Sequence, residues 1–185
     1  CGSSGYGASG PYVDRPGQDL LAQSLAGGIF LNGKKNDIPV VTAVGQADLL
    51  TSLFIVQSLL AALYYREQSG IGQRIDACLL NSVIAFHIQE ITAFLLKGSN
   101  PERSAYAIPN PWLGAPYGLY ETQDSYIAIG MNSVRKLAGI MGVKKYDSDK
   151  YESNNIMENR DEIWKDFNVV FKTRLTKEWL TVLLA

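Results

Sequence analysis

Residues 49–65 read LLTSLFIVQSLLAALYY, a run so apolar that any fold this chain adopts must provide for it. Asp48 stands directly before the run and Arg66 directly after it. Ser69-Gly70-Ile71-Gly72 follows and breaks helical order. The pattern predicts a helix over 48–67. A bilayer span takes about 20 apolar residues. This run is shorter and is interrupted by Thr51, Ser52, Gln57 and Ser58, so we expect a helix buried in a globular protein and no membrane. If its cover were missing, the exposed face would drive self-association.

The chain has 185 residues, 46% of them hydrophobic, enough for one compact domain or two small ones. Seventeen Lys and Arg against eighteen Asp and Glu leave a net charge of −1, which draws neither nucleic acid nor an anionic membrane. Two cysteines, Cys1 and Cys78, cannot make a disulfide framework and point to a reducing compartment, the cytoplasm. One histidine, His87, leaves little from which to build a His-based metal site or a Ser-His-Asp triad. The chain opens Cys-Gly-Ser-Ser-Gly, without Met and without a basic stretch ahead of an apolar one. We therefore expect an excised or processed piece and no secretory signal.

Five glycines with Pro11 and Pro16 make residues 1–17 read as an irregular, closely packed loop. A helix is expected over 19–25, ended by Gly27-Gly28. A loop over 32–39 then leads into the apolar stretch 40–44. Beyond the long helix come a short strand over 73–79 and a single helix over 81–97. Composition changes at Gly98-Ser99-Asn100-Pro101, which places a boundary between domains at 1–97 and 98–185. In the second part, 118–120 and 125–129 flank Thr122-Gln123-Asp124 as a hairpin. Helices follow near 134–141, 160–172 and 177–184. The fold class is α/β for the first part and a smaller α+β domain for the second.

Several kinds of chemistry lack their signatures. No phosphate-binding Gly-x-x-x-x-Gly-Lys-Ser/Thr and no pair of Cys-x-x-Cys motifs occurs. Gly5-Tyr6-Gly7-Ala8-Ser9-Gly10 matches a dinucleotide fingerprint in letters, but Pro11 follows where a helix should open. Asp48 is the more informative residue. Its residue type and place favour an N-cap, accepting from the first free amides of its helix. The alternative is a carboxylate held by those same amides, partly shielded from water and able to attack an activated acyl carbon.

The stretch as a whole favours the second role. Gly5 to Tyr12, Arg15-Pro16-Gly17-Gln18-Asp19-Leu20, Gln23-Ser24 and Gly27 precede Asp48 in order. Ala61-Ala62-Leu63, Arg66, Ser69-Gly70-Ile71-Gly72-Gln73, Ile75-Asp76 and Leu79-Leu80 follow it. This series resembles the class III CoA-transferases, the CaiB/BaiF family, with Asp48 in the nucleophile's place. Pro116-Tyr117-Gly118, Tyr126-Ile127-Ala128-Ile129, Asn159-Arg160 and Glu178-Trp179 extend the resemblance over nearly the whole chain.

The resemblance implies transfer of coenzyme A from an acyl-CoA to a carboxylic acid through a covalent aspartyl intermediate, with no metal or prosthetic group. It implies Arg15 and Gln18 as candidate contacts for coenzyme A and substrate. It also implies a partial large domain of Rossmann-like type, lacking the family's N-terminal nucleotide-binding half and its C-terminal return segment. At full length the family forms interlocked homodimers. Ser52 departs from a glycine common four residues after the nucleophile. The related α-methylacyl-CoA racemases carry a histidine where this chain has Gln18, and a second carboxylate where it has Met131-Asn132-Ser133. Racemisation needs two acid–base groups, so transferase is the better reading. A third reading, from another class, is a non-catalytic oligomerisation module.

Plainer roles stand beside these. Arg15 also fits a solvated loop arginine, and Gln18 a glutamine bonding backbone. His87 reads as a satisfied structural histidine and Cys78 as inert core. Arg66 and Asp76 are expected to fix the helix–turn–strand geometry. Tyr117, Tyr120 and Tyr126 are expected to pack the hairpin, and 144–150 to be a solvated segment.

Overall fold

The computed structural model describes residues 1–151 and 155–184, which fall into two compact units. The first holds Cys1–Phe30 and Pro39–Asn100, the second Leu31–Ile38 and Pro101–Ala185. The loop expected over 32–39 thus packs with the later part of the chain. Arg103 holds it there, donating to the carbonyls of Asn32 at 2.6 Å and Asp37, while Lys35 N–H donates to the Ser104 carbonyl at 2.8 Å.

The first unit runs β1 (Gly2–Ser4), α1 (Asp19–Leu25), α2 (Gln46–Ser69), β2 (Asp76–Cys78), α3 (Leu79–Phe86) and α4 (Ile88–Lys97). Strands β1 and β2 pair in parallel with Ser3 opposite Ala77, so α1 and α2 lie in the crossover of a β-α-β arrangement. The glycine-rich opening is therefore not loop throughout. Gly2 N–H reaches the Ile75 carbonyl at 2.8 Å, and Leu80 N–H reaches that of Gly5 at 3.1 Å. These partners lie far along the chain. Past β1 the loop doubles back on itself: a Cβ on Gly17 would sit 2.2 Å from the Gly5 Cα, and one on Gly5 2.4 Å from the Gly17 Cα. Two backbones approach that closely only if both residues are glycine.

Helices α1, α2 and α3 meet at Ala22, Ala47 and Val83, all essentially inaccessible. Small side chains let them come close, and this contact fixes the start of α2. Farther along, the expectation of burial fails. Within α2 only Ala47 and Thr51 are buried, while Leu53 and Leu60 are 67% and 64% exposed. By length and composition alone α2 also passes as a helix able to cross a bilayer. Leu50, Phe54 and Ile55 are half-buried, while most of its other large apolar side chains stay exposed. The helix ends as expected, on Gly70 at φ 72°, whose N–H returns to the Arg66 carbonyl at 2.8 Å. Asp76 takes the Arg74 guanidinium as a fork, which holds its carboxyl below the usual range. The Arg66 side chain pairs instead with neighbouring Glu67 at 3.2 Å.

The single helix expected over 81–97 is two, bent by 71° at His87. His87 leaves helical geometry with ψ at 26°, and its ring lies on Gly28, where a Cβ would come within 2.2 Å of Cε1. Its Nδ1 is buried without a hydrogen-bond partner among the described residues, so it is not the satisfied histidine expected. Burial lowers its pKa, against a smaller opposing pull from Glu90. Cys78, 3% exposed and unpaired, is core as expected.

The second unit runs β3 (Gly118–Glu121), β4 (Tyr126–Ile129), α5 (Val134–Met141), α6 (Asn155–Glu158), α7 (Arg160–Phe171) and α8 (Thr176–Leu183). β3 and β4 form the expected antiparallel hairpin, with Tyr120 opposite Ile127. Its core is aromatic. Tyr120 stacks on Trp164 at 5.4 Å and donates its hydroxyl to the Pro116 carbonyl at 2.9 Å. Trp179 meets Phe171 edge-on at 5.0 Å and donates its indole N–H to the Phe171 carbonyl at 2.7 Å. Two expectations about burial fail. Tyr126 is 61% exposed and does not pack the hairpin. Tyr146, inside the run expected to be solvated, is fully buried and donates to Asp166 at 2.7 Å.

Gly17→Ala should destabilise the protein by about 1–3 kcal/mol, since the new methyl meets backbone that cannot move aside; denaturant titration would show it as a lower midpoint. His87 binds a proton less readily folded than unfolded, so its contribution is complete above its ordinary value near 6.5 and is lost as pH falls below it. The fall in melting temperature between pH 7 and pH 5 should accordingly be smaller in His87→Gln than in the wild type.

Candidate active site

Asp48 is the third residue of α2, and the N-cap is Gly45. The capping role expected of Asp48 therefore falls elsewhere. Asp19, from the first turn of α1, reaches across: its Oδ1 accepts from the N–H of Ala47 at 2.6 Å and lies 3.4 Å from that of Asp48. A carboxylate from another element thus satisfies amides that the helix itself leaves open, at the positive end of its dipole.

Asp19 is itself held. Its Oδ2 accepts from Gln23 Nε2 at 2.6 Å, one helical turn on. Gln23 is 3% exposed, and its Oε1 accepts from the Thr42 N–H at 3.2 Å and lies 3.0 Å from the Thr42 hydroxyl. Residues 42–48 are tied to α1 by this network. Along the sequence, Asp19, Gln23 and Thr42 do not stand out as participants. The signal for them is the i, i+4 pairing of an aspartate and a glutamine on one short helix, though nothing local says what they hold.

With its neighbour Ala47 packed into the three-helix contact, Asp48 points away from it and is exposed. Its carboxylate has no hydrogen-bond partner among the described residues. A Cβ on Gly45 would lie 3.6 Å from Asp48 Oδ2 and 3.9 Å from Asp19 Oδ1, so the two carboxylates flank that glycine. The expectation that the helix amides grip Asp48 and shield it is thus not met: Asp19 takes those amides. Ser52, one turn on, donates its hydroxyl to the Asp48 carbonyl at 2.9 Å and so folds against its own helix.

Gln18 is the N-cap of α1, extended at φ −142° and ψ 156°, with an exposed side chain that makes no capping bond. It is one residue from the Asp19 contact, which brings it to the start of α2. Arg15 stays on the adjoining loop, with its guanidinium 4.2 Å from the centre of the Tyr12 ring, and Tyr12 meets Tyr6 edge-on at 5.6 Å. No hydrogen bond or ion pair joins Arg15 to Asp48 among the described residues. What the arrangement offers is an unencumbered carboxylate on a firmly anchored helix start, able to serve as a nucleophile.

Comparison with known proteins gives this site its context. The model of the family described as CoA-transferase family III matches residues 1–185. An acyl-CoA transferase of Fusarium pseudograminearum is 32% identical over 98% of the chain and 40% of its own length. Human succinyl-CoA:glutarate CoA-transferase is 30% identical over 97% of the chain and 42% of its own length. The chain therefore spans about two fifths of these curated relatives. Among solved structures, a CaiB/BaiF family protein from Brucella suis superposes with a TM-score of 0.73 at 23% identity, over 98% of this chain and 48% of that one. A Mycobacterium tuberculosis protein gives 0.75 at 20% identity, over 98% and 49%. The fold is thus that of the CaiB/BaiF proteins, and the chain belongs to CoA-transferase family III.

Proposed function

We propose that the protein carrying this chain transfers coenzyme A from an acyl-CoA donor to a carboxylic acid acceptor, with the Asp48 carboxylate as covalent nucleophile. The supporting observation is that Asp19 caps α2, which leaves the Asp48 side chain exposed and free of hydrogen bonds among the described residues. The reaction would begin with an Asp48 oxygen attacking the thioester carbonyl; the C–S bond breaks, giving a mixed anhydride and CoA thiolate. The thiolate attacks the aspartyl carbonyl, releasing the donor acid and leaving an aspartyl-CoA thioester. An acceptor carboxylate attacks that thioester and expels the thiolate, forming a second anhydride. Return of the thiolate to the acceptor's acyl carbon gives the new acyl-CoA and restores Asp48. The route draws on the carboxylate and the thioester alone, without a metal or prosthetic group.

Gln18 carries no titratable proton, which favours transfer over racemisation. It and Arg15 are the proposed contacts for substrate and coenzyme A. Acceptors of the kind named for the human relative, a dicarboxylic acid, fit the same chemistry. The family resemblance implies that two chains pair at full length, and the exposed apolar side chains of α2 support self-association of this chain. Unpaired Cys1 and Cys78 support a cytoplasmic setting.

In the protein at its natural full length, Asp48→Asn should lower acyl exchange by at least about 10⁴-fold, as loss of a covalent nucleophile does. The check is isotope exchange between a labelled free acid and its acyl-CoA. Exchange that persists at the wild-type rate would end the proposal.

A further inference from the structure

We propose that Asp19 is a positioning residue for the reaction at Asp48, holding the start of α2 so that the Asp48 carboxylate stays available for attack; this rests on Asp48 being the nucleophile. The geometry leaves little freedom in how the network is polarised. Two of its ends are backbone N–H groups, which can only donate. Ala47 N–H donates to Asp19 Oδ1 at 2.6 Å, and Thr42 N–H donates to Gln23 Oε1 at 3.2 Å. The Gln23 amide must then turn its Nε2 toward Asp19, and Asp19 must present an acceptor at Oδ2, 2.6 Å away. Only a residue with two acceptor oxygens fits at position 19 when a glutamine stands at 23.

Remove that second acceptor and the amides at the start of α2 lose a fixed partner. The Asp48 carboxylate stands three residues into the helix, where an acidic side chain can turn back onto open N-terminal amides. A carboxylate engaged there is withdrawn from an incoming thioester. Asp19 would therefore act on the rate of attack more than on the binding of acyl-CoA. A merely structural residue would not separate the two.

Swapping donors and acceptors in the full-length protein tests this polarity. Asp19→Asn sets an amide NH₂ against Gln23 Nε2, donor against donor. Gln23→Glu alone sets two carboxylates face to face. Combining them restores one donor facing one acceptor, with the second oxygen at position 23 still accepting from Thr42. Each single variant should lower kcat on the order of 10- to 100-fold, with KM for acyl-CoA within about threefold of wild type. The pair should recover most of the loss, and protection of the Ala47 amide against hydrogen exchange should fall and return in step. A double variant that stays as impaired, or as unfolded, as Asp19→Asn overturns the inference. So does an Asp19→Asn variant with unchanged kcat. Asp48→Asn run alongside separates the two claims: if it is inactive while Asp19→Asn is not slowed, the nucleophile stands and only the positioning role falls.

Discussion

The first amides of a helix have no partner within it, and at the start of α2 that shortage decides what Asp48 can do. Were Asp48 the only acceptor within reach, its carboxylate would close its own helix and be of no further use. Asp19 removes the conflict by capping from a neighbouring helix, with its two short hydrogen bonds to Ala47 N–H and Gln23 Nε2. Ala47 goes into the contact with Ala22 and Val83, and Asp48 turns outward. The second unit uses the same device, where Asp124 accepts from the N–H and hydroxyl of Thr176 at the start of α8, each at 2.8 Å. There the capping aspartate has its carboxyl held below the usual range by those bonds.

The two units differ in how they hold together. The second encloses a continuous aromatic core, with Tyr120, Phe167, Phe171 and Trp179 fully buried. The first buries Ala22, Ala47 and Val83 together and leaves much of the apolar surface of α2 and α4 open. Its order near the site comes from directional contacts instead: the Gly5–Gly17 backbone approach, the parallel β1–β2 pairing and the Asp19–Gln23–Thr42 network. These contacts converge on the stretch that carries Gln18, Asp19 and Asp48.

Features governed by local chemistry were legible in the sequence. Helix α1 over 19–25, α5 over 134–141, the 118–129 hairpin and the Gly70 stop all lie where composition and turn residues put them. Features set by distant partners were not. β1 looks like loop because its reason to be extended is β2, supplied by residues 76–78. The bend at His87 carries no glycine or proline to announce it, and its seat on Gly28 is a tertiary contact. Tyr146 sits among charged neighbours yet finds Asp166 and a place in the core. At the site, Asp48 was identifiable as the start of an apolar helix and by its place in a family series. That another aspartate does the capping depends on how α1 lies against α2, and no reading along the chain contains it.

In the proposed mechanism the Asp48 side chain itself carries the acyl or CoA group during turnover. Full-length protein mixed with acyl-CoA, quenched with hydroxylamine or borohydride, and mapped by peptide mass spectrometry tests it directly. The expected result is the hydroxamate or the reduced product at Asp48 and at no other carboxylate. Transfer that proceeds with Asp48 unmodified, or with the label on another residue, contradicts it.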